Sequence, residues 1–97
     1  NSKASRKAAA EKKYDRYIIE KALIGLMQKY ARENIEYDNY DLEAIASNII
    51  ECYDEIDDDE IREYVIRHEL LYIVKQENID DVLVKISKLL EKLEKEE

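Results

Sequence analysis

The segment His68-Glu69-Leu70-Leu71-Tyr72 comes nearest to a catalytic motif. His-Glu-x-x-His on a helix sets two imidazoles one turn apart to hold zinc, with the Glu as general base. Here Tyr72 stands where the second imidazole belongs, and the chain has no other histidine. Tyr is a weak zinc ligand, so the segment reads as ordinary helix. On that reading His68 sits at the core edge, buried or half buried, and satisfied by one hydrogen bond. The acidic run from Asp54 to Glu60 invites a calcium reading. An EF-hand loop needs oxygen ligands at fixed offsets, a Gly at the sixth position and a Glu at the twelfth. Counting from Asp54, the third position is Ile56; counting from Asp57, the fifth is Ile61. Neither frame works, and the run reads as a solvated helix start complementing the helix dipole.

The remaining chemistry is excluded by counts. One Gly, Gly25, cannot build a phosphate-cradling loop. One Cys, Cys52, excludes an internal disulfide and a Cys-based zinc site. No basic neighbour in sequence lowers its pKa, so nucleophilic catalysis has no support. The eight Tyr could stack on bases, but most fall on apolar stripes and read as core and interface packing. The expectation is a protein that is not an enzyme, with no catalytic residue, no cofactor, no metal and no small-molecule substrate.

Two fold-level comparisons follow from the middle of the chain. Asp41-Leu42, a helix, then Glu55-Ile56-Asp57 is similar to acyl carrier proteins, which are small acidic helical bundles. That family attaches its cofactor to a Ser directly before such a Leu. Here the position is Asp41, and Ser47 lies mid-helix, so the carrier role does not transfer. Residues 42–72 also have the outline of a helix-turn-helix. Its second helix would open Asp57-Asp58-Asp59-Glu60, which phosphates would repel.

Charge divides the chain unevenly. Residues 1–16 net +4, from Lys3, Arg6, Lys7, Lys12, Lys13 and Arg16 against Glu11 and Asp15, while the other residues net −12. Residues 1–13 hold no apolar side chain larger than Ala and read as a flexible or frayed basic arm. Residues 14–97 read as an acidic helical body, suited to a basic protein partner. No stretch reaches the roughly 18 apolar residues that span a bilayer, and no basic start leads into an apolar signal run. An intracellular, cytoplasmic protein without membrane contact is expected.

Apolar types make up 45% of the chain, and the scarcity of Gly and Pro argues against a sheet fold. Periodicity predicts four helices. The first runs from about Ser5 to Glu33, with Ile19, Leu23, Leu26, Met27 and Tyr30 on one stripe. Gly25 interrupts it and is expected to admit a close neighbouring helix. The second runs from about Asp41, as N-cap, to Tyr53, with Leu42, Ile45, Ala46, Ile49, Tyr53 and Ile56 on one stripe. The third runs from about Asp58 to Lys75, after an Asp57–Glu60 capping box. Its main face is Ile61, Tyr64, Val65, His68 and Tyr72, with Ile66, Leu70, Ile73 and Val74 opposite. The fourth starts at an Asn78 cap and carries a heptad seam, Ile79, Leu83, Ile86, Leu90 and Leu93.

The predicted fold is all-α: a four-helix up-and-down bundle with a long first helix and a basic N-terminal arm. Its apolar faces exceed what one short bundle needs, which predicts a homodimer or a helical protein partner. Ile66, Leu70, Ile73, Leu89 and Leu93 are the predicted contact residues. The function expected is a protein–protein interaction or assembly module. The alternative is a nucleic-acid-associated factor (ribosomal, viral or replicative). Its arm residues Lys3, Arg6, Lys7, Lys12, Lys13 and Arg16 would make a weak contact to phosphate.

Overall fold

Carboxylates mark two of the helix starts. Asp38 accepts from the Asp41 amide at 3.0 Å, and the Asp41 carboxylate accepts from the Asp38 amide at 3.1 Å. This reciprocal box opens α2, Asn39–Glu55. Asp41 is thus the third-position partner of the box, and the cap lies three residues before it. Asp58 accepts from the amides of Glu60 and Ile61, both at 3.0 Å, and opens α3, Asp59–Leu70. The cap is Asp58 rather than Asp57.

The computed structural model describes the backbone of residues 2–95 and the side chains of residues 16–92. Helix α1 spans Ser2–Lys29 and α4 spans Ile79–Lys95. A 3₁₀ turn, Gln76–Asn78, leads into α4. The described chain is mostly helical, with four α-helices and no strand, so the all-α expectation holds. Helix α1 packs on α2 and α4, and α3 packs on the same two from the other side.

Helix α3 ends five residues before the Lys75 that periodicity predicts. Beyond Leu70 the amides of Ile73 and Val74 both turn back to the Leu70 carbonyl, at 3.0 and 2.7 Å. The β-branched pair Ile73 and Val74 is buried, and its backbone joins the end of α1. The Arg32 amide donates to Ile73 at 2.8 Å, and the Lys75 amide to Tyr30 at 3.4 Å. Val74 and Ala31 pair as a single antiparallel bridge. Helix α1 correspondingly stops at Lys29, short of Glu33, and Asn34 follows at φ 64°. Asn tolerates that left-handed region better than most residues.

The core is aliphatic. Ile19, Leu23 and Met27 of α1 meet Leu42, Ala46 and Ile49 of α2 and Ile79, Ile86 and Leu90 of α4 in one buried cluster. These are the predicted stripes. The third helix corrects its prediction. It buries Ile66 and Leu70, while Ile61, Tyr64 and His68 face outward. Aliphatic side chains can be fully desolvated without stranding a polar atom, whereas Tyr and His each need a partner for one. Gly25 is exposed, and a Cβ built there meets nothing within 4 Å. It admits no close neighbour.

Candidate interaction surface

The outer side of α3 and the turn after it carry several large, exposed side chains. Ile61 is 55% exposed, Tyr64 62% and Tyr72, two residues past the helix end, 68%. Helical spacing of three and four places Ile61, Tyr64 and His68 on one side of α3, and Tyr72 follows in the turn after the helix, its amide donating to the Glu69 carbonyl at 3.3 Å. The Tyr64 and His68 rings lie 4.4 Å apart between centroids and tilted by 42°. Two tyrosines elsewhere, Tyr17 and Tyr40, are also more than half exposed, and Tyr30, Tyr37 and Tyr53 are partly buried against the core. No tyrosine among the described side chains belongs to the buried core. Of the expected core and interface packing of the tyrosines, the core part is met by the partly buried Tyr30, Tyr37 and Tyr53.

Three of the five predicted contact residues lie inside the fold. Ile66, Leu70 and Ile73 are buried within the chain's own core, at 5%, 0% and 3% exposure. Leu70 and Ile73 cannot be reached without opening the fold, and Ile66 shows only an edge to the groove between α3 and α4, so none of the three offers an outward contact face. Leu89 is partly buried against the same core. The side chain of Leu93 lies outside the described residues.

The predicted phosphate contacts divide similarly. The side chains of Lys3, Arg6, Lys7, Lys12 and Lys13 lie outside the described residues. Arg16 is described and engaged. Its guanidinium lies 3.2 Å from the Asp54 carboxylate and 3.9 Å from Glu51, both on α2. A phosphate would have to displace both carboxylates.

The side chains that resembled catalytic motifs have structural partners. His68 is exposed and stacks on Tyr64, which corrects the expected burial. Glu69 accepts from the Asn48 amide at 3.4 Å. Asp58, from the acidic run, serves as a helix cap. Among the described residues, no group of three or more His, Cys, Asp or Glu side chains is arranged to hold a metal ion. Cys52 is buried, and its thiol donates to the Arg62 carbonyl at 3.8 Å. Burial pushes that thiol up, with the Arg62 charge acting in the opposite direction. A raised thiol is a poor nucleophile.

A groove of about 390 Å³ lies between α3 and α4, with Ile66, Leu83, Ile86 and Leu90 among its lining. Its lip is largely neutralised from within. The Arg62 guanidinium covers the Tyr53 ring at 4.3 Å, donates to the Ile56 carbonyl at 2.9 Å and lies 3.5 Å from Asp59. Arg67 lies between Glu63 at 3.1 Å and Asp80 at 2.8 Å. Both arginines are therefore turned to internal partners. No cation stands within ion-pair distance of Asp57, Asp58 or Glu60 among the described residues.

No protein-family model, curated protein or solved structure matches the chain. No helix is long and apolar enough to cross a membrane among the described residues.

The α3 stripe is present in the sequence, where periodicity alone reads it as an interior face. Periodicity finds two apolar faces on this helix without ranking them. The signal that ranks them is side-chain type: one face is purely aliphatic, and the other holds two Tyr and the His.

Proposed function

We propose that this chain is a non-enzymatic protein–protein interaction module, an adaptor or assembly subunit built as an up-and-down four-helix bundle. The observation that carries the reading is the outer face of α3 and the turn after it, where Ile61, Tyr64 and Tyr72 are each more than half exposed. Large apolar side chains exposed together commonly mark contact sites, and tyrosine is favoured at such sites because it combines buried area with a polar tip. The contact surface is thus shifted from the aliphatic face of α3 to its aromatic face. Antiparallel packing of α1 and α2 is supported by Arg16, well before the C-terminal end of α1 at Lys29, meeting Asp54 near the C-terminal end of α2.

The test is affinity capture from the native cell with the wild-type chain and with a Tyr64→Glu/Tyr72→Glu variant. Both substitutions are at exposed positions, so the far-ultraviolet circular dichroism spectrum should be unchanged. The reading expects a specific partner, or a second copy, that the variant retains at least about tenfold less well. Equal recovery of every bound protein by both chains, with both chains monomeric in sedimentation, would remove the reading.

A further inference from the structure

We propose that the α3 stripe docks a basic amphipathic helix. The inference rests on the reading of this face as the interaction surface and adds the chemistry of its partner. Helix α3 has 12 residues and is about 18 Å long, the footprint of about three turns of a second helix. Ile61, Tyr64 and Tyr72 offer apolar area at the spacing that a helix laid along the face would meet with its own aliphatic residues.

Charge selects among partners. Asp57, Asp58 and Glu60 are exposed at the N-terminal end of the stripe and have no cation within ion-pair distance among the described residues. The nearby arginines cannot neutralise them. Arg62 is held by Asp59, the Ile56 carbonyl and the Tyr53 ring, and Arg67 by Glu63 and Asp80. The chain as a whole is at −8. A nucleic acid would meet like charge at this end of the stripe. A second copy would bring net negative charge against net negative charge. A helix with aliphatic residues on one side and Lys or Arg at its margins pairs its cations with the three carboxylates. Its cations can also cover the Tyr64 and Tyr72 ring faces.

The experiment uses the full chain and three synthetic helical peptides of about 18 residues: Leu with Lys, Leu with Glu, and Lys with Ala. Binding is read by fluorescence anisotropy and by backbone amide shifts. The expected result is binding of the Leu/Lys peptide at least about tenfold tighter than either of the others. Its shift changes are centred on residues 57–72, and its affinity falls as salt rises from about 0.05 to 0.3 M. Tyr64→Ser/Tyr72→Ser and Asp57→Asn/Glu60→Gln should each weaken it at least about fivefold, with unchanged circular dichroism. Equal binding of the Leu/Glu or Lys/Ala peptide would overturn the proposal, as would shifts spread over α1 and α4. Self-association of the wild-type chain through residues 57–72, undisturbed by the Leu/Lys peptide, would also overturn it. If the basic peptide fails while Tyr64→Glu/Tyr72→Glu still loses a native partner, the partner's chemistry is wrong and the interaction reading survives.

Discussion

The Tyr64 and His68 rings stack at 4.4 Å on the solvent side of α3, one helical turn apart. The contact joins two neighbours on one helix and ties α3 to nothing else. His68→Ala should therefore lower stability by less than about 1 kcal/mol. Leu70→Ala, two residues away but fully buried, should cost about 2–5 kcal/mol. Urea denaturation of the two variants checks the contrast. A His68→Ala loss as large as that of Leu70→Ala would place His68 in the interior after all.

Gly25 gives a prediction of opposite sign. It sits within α1, and an added Cβ meets nothing within 4 Å. Gly25→Ala should stabilise the chain by about 0.5–1 kcal/mol, by restricting the unfolded chain and favouring helix. For a domain of this size that raises the melting temperature by roughly 2–8 °C. A fall in melting temperature would show that the position is crowded.

The cap of α3 separates two adjacent aspartates. Asp58→Ala removes the acceptor for two amides and should cost about 0.5–2 kcal/mol. Asp57→Ala removes no described hydrogen bond and should change stability by less than about 0.5 kcal/mol. Thermal melts of the two variants give the answer, and equal losses would contradict the assigned cap.

These residues also show what the sequence could tell. The apolar stripes of α1, α2 and α4 were readable because each helix presents one dominant aliphatic face, as with Ile19, Leu23 and Met27. The acidic helix starts were readable as a class. Choosing Asp58 over Asp57, or Asp38 over Asp41, was not, because a cap is fixed by backbone geometry and neighbouring aspartates are chemically alike. The end of α3 was hidden for a different reason. Ile73 and Val74 continue a helical pattern, and only their pairing with Tyr30–Arg32, far away in sequence, turns the chain. The candidate surface was misplaced because Ile66 and Leu70 can serve equally as core or as contact until the neighbouring helices are in place.

The junction of α1 and α4 should respond to pH. The Lys85 ammonium donates to the Tyr30 hydroxyl at 2.8 Å and to the Asp81 carboxylate at 2.7 Å. The hydrogen bond from Lys85 holds Asp81 below its ordinary 3.8, and the hydrogen bond to Asp81 holds Lys85 above its ordinary 10.5. A lowered carboxylate stabilises the fold above its unfolded pKa, and that contribution disappears as the pH falls through the folded value. A raised lysine stabilises below its unfolded pKa, and that contribution is lost as the pH rises through the folded value. Asp81→Asn should therefore lower the urea midpoint at neutral pH by a small, salt-sensitive amount. The gap from wild type should close at the acid end, below the ordinary 3.8, and at the alkaline end, above the ordinary 10.5. A gap that stays constant across that range would show that the ion pair contributes nothing.

Hydroxyl-radical footprinting of the chain, free and in the complex captured from its native cell, reads out which face a partner covers. Tyr17, Tyr40, Tyr64 and Tyr72 are all more than half exposed and serve as internal probes of one another. If the aromatic side of α3 is the contact surface, Tyr64 and Tyr72 become protected in the complex while Tyr17 and Tyr40 keep their free rates. Protection of Tyr17 or Tyr40 with Tyr64 and Tyr72 still fully reactive would contradict that placement.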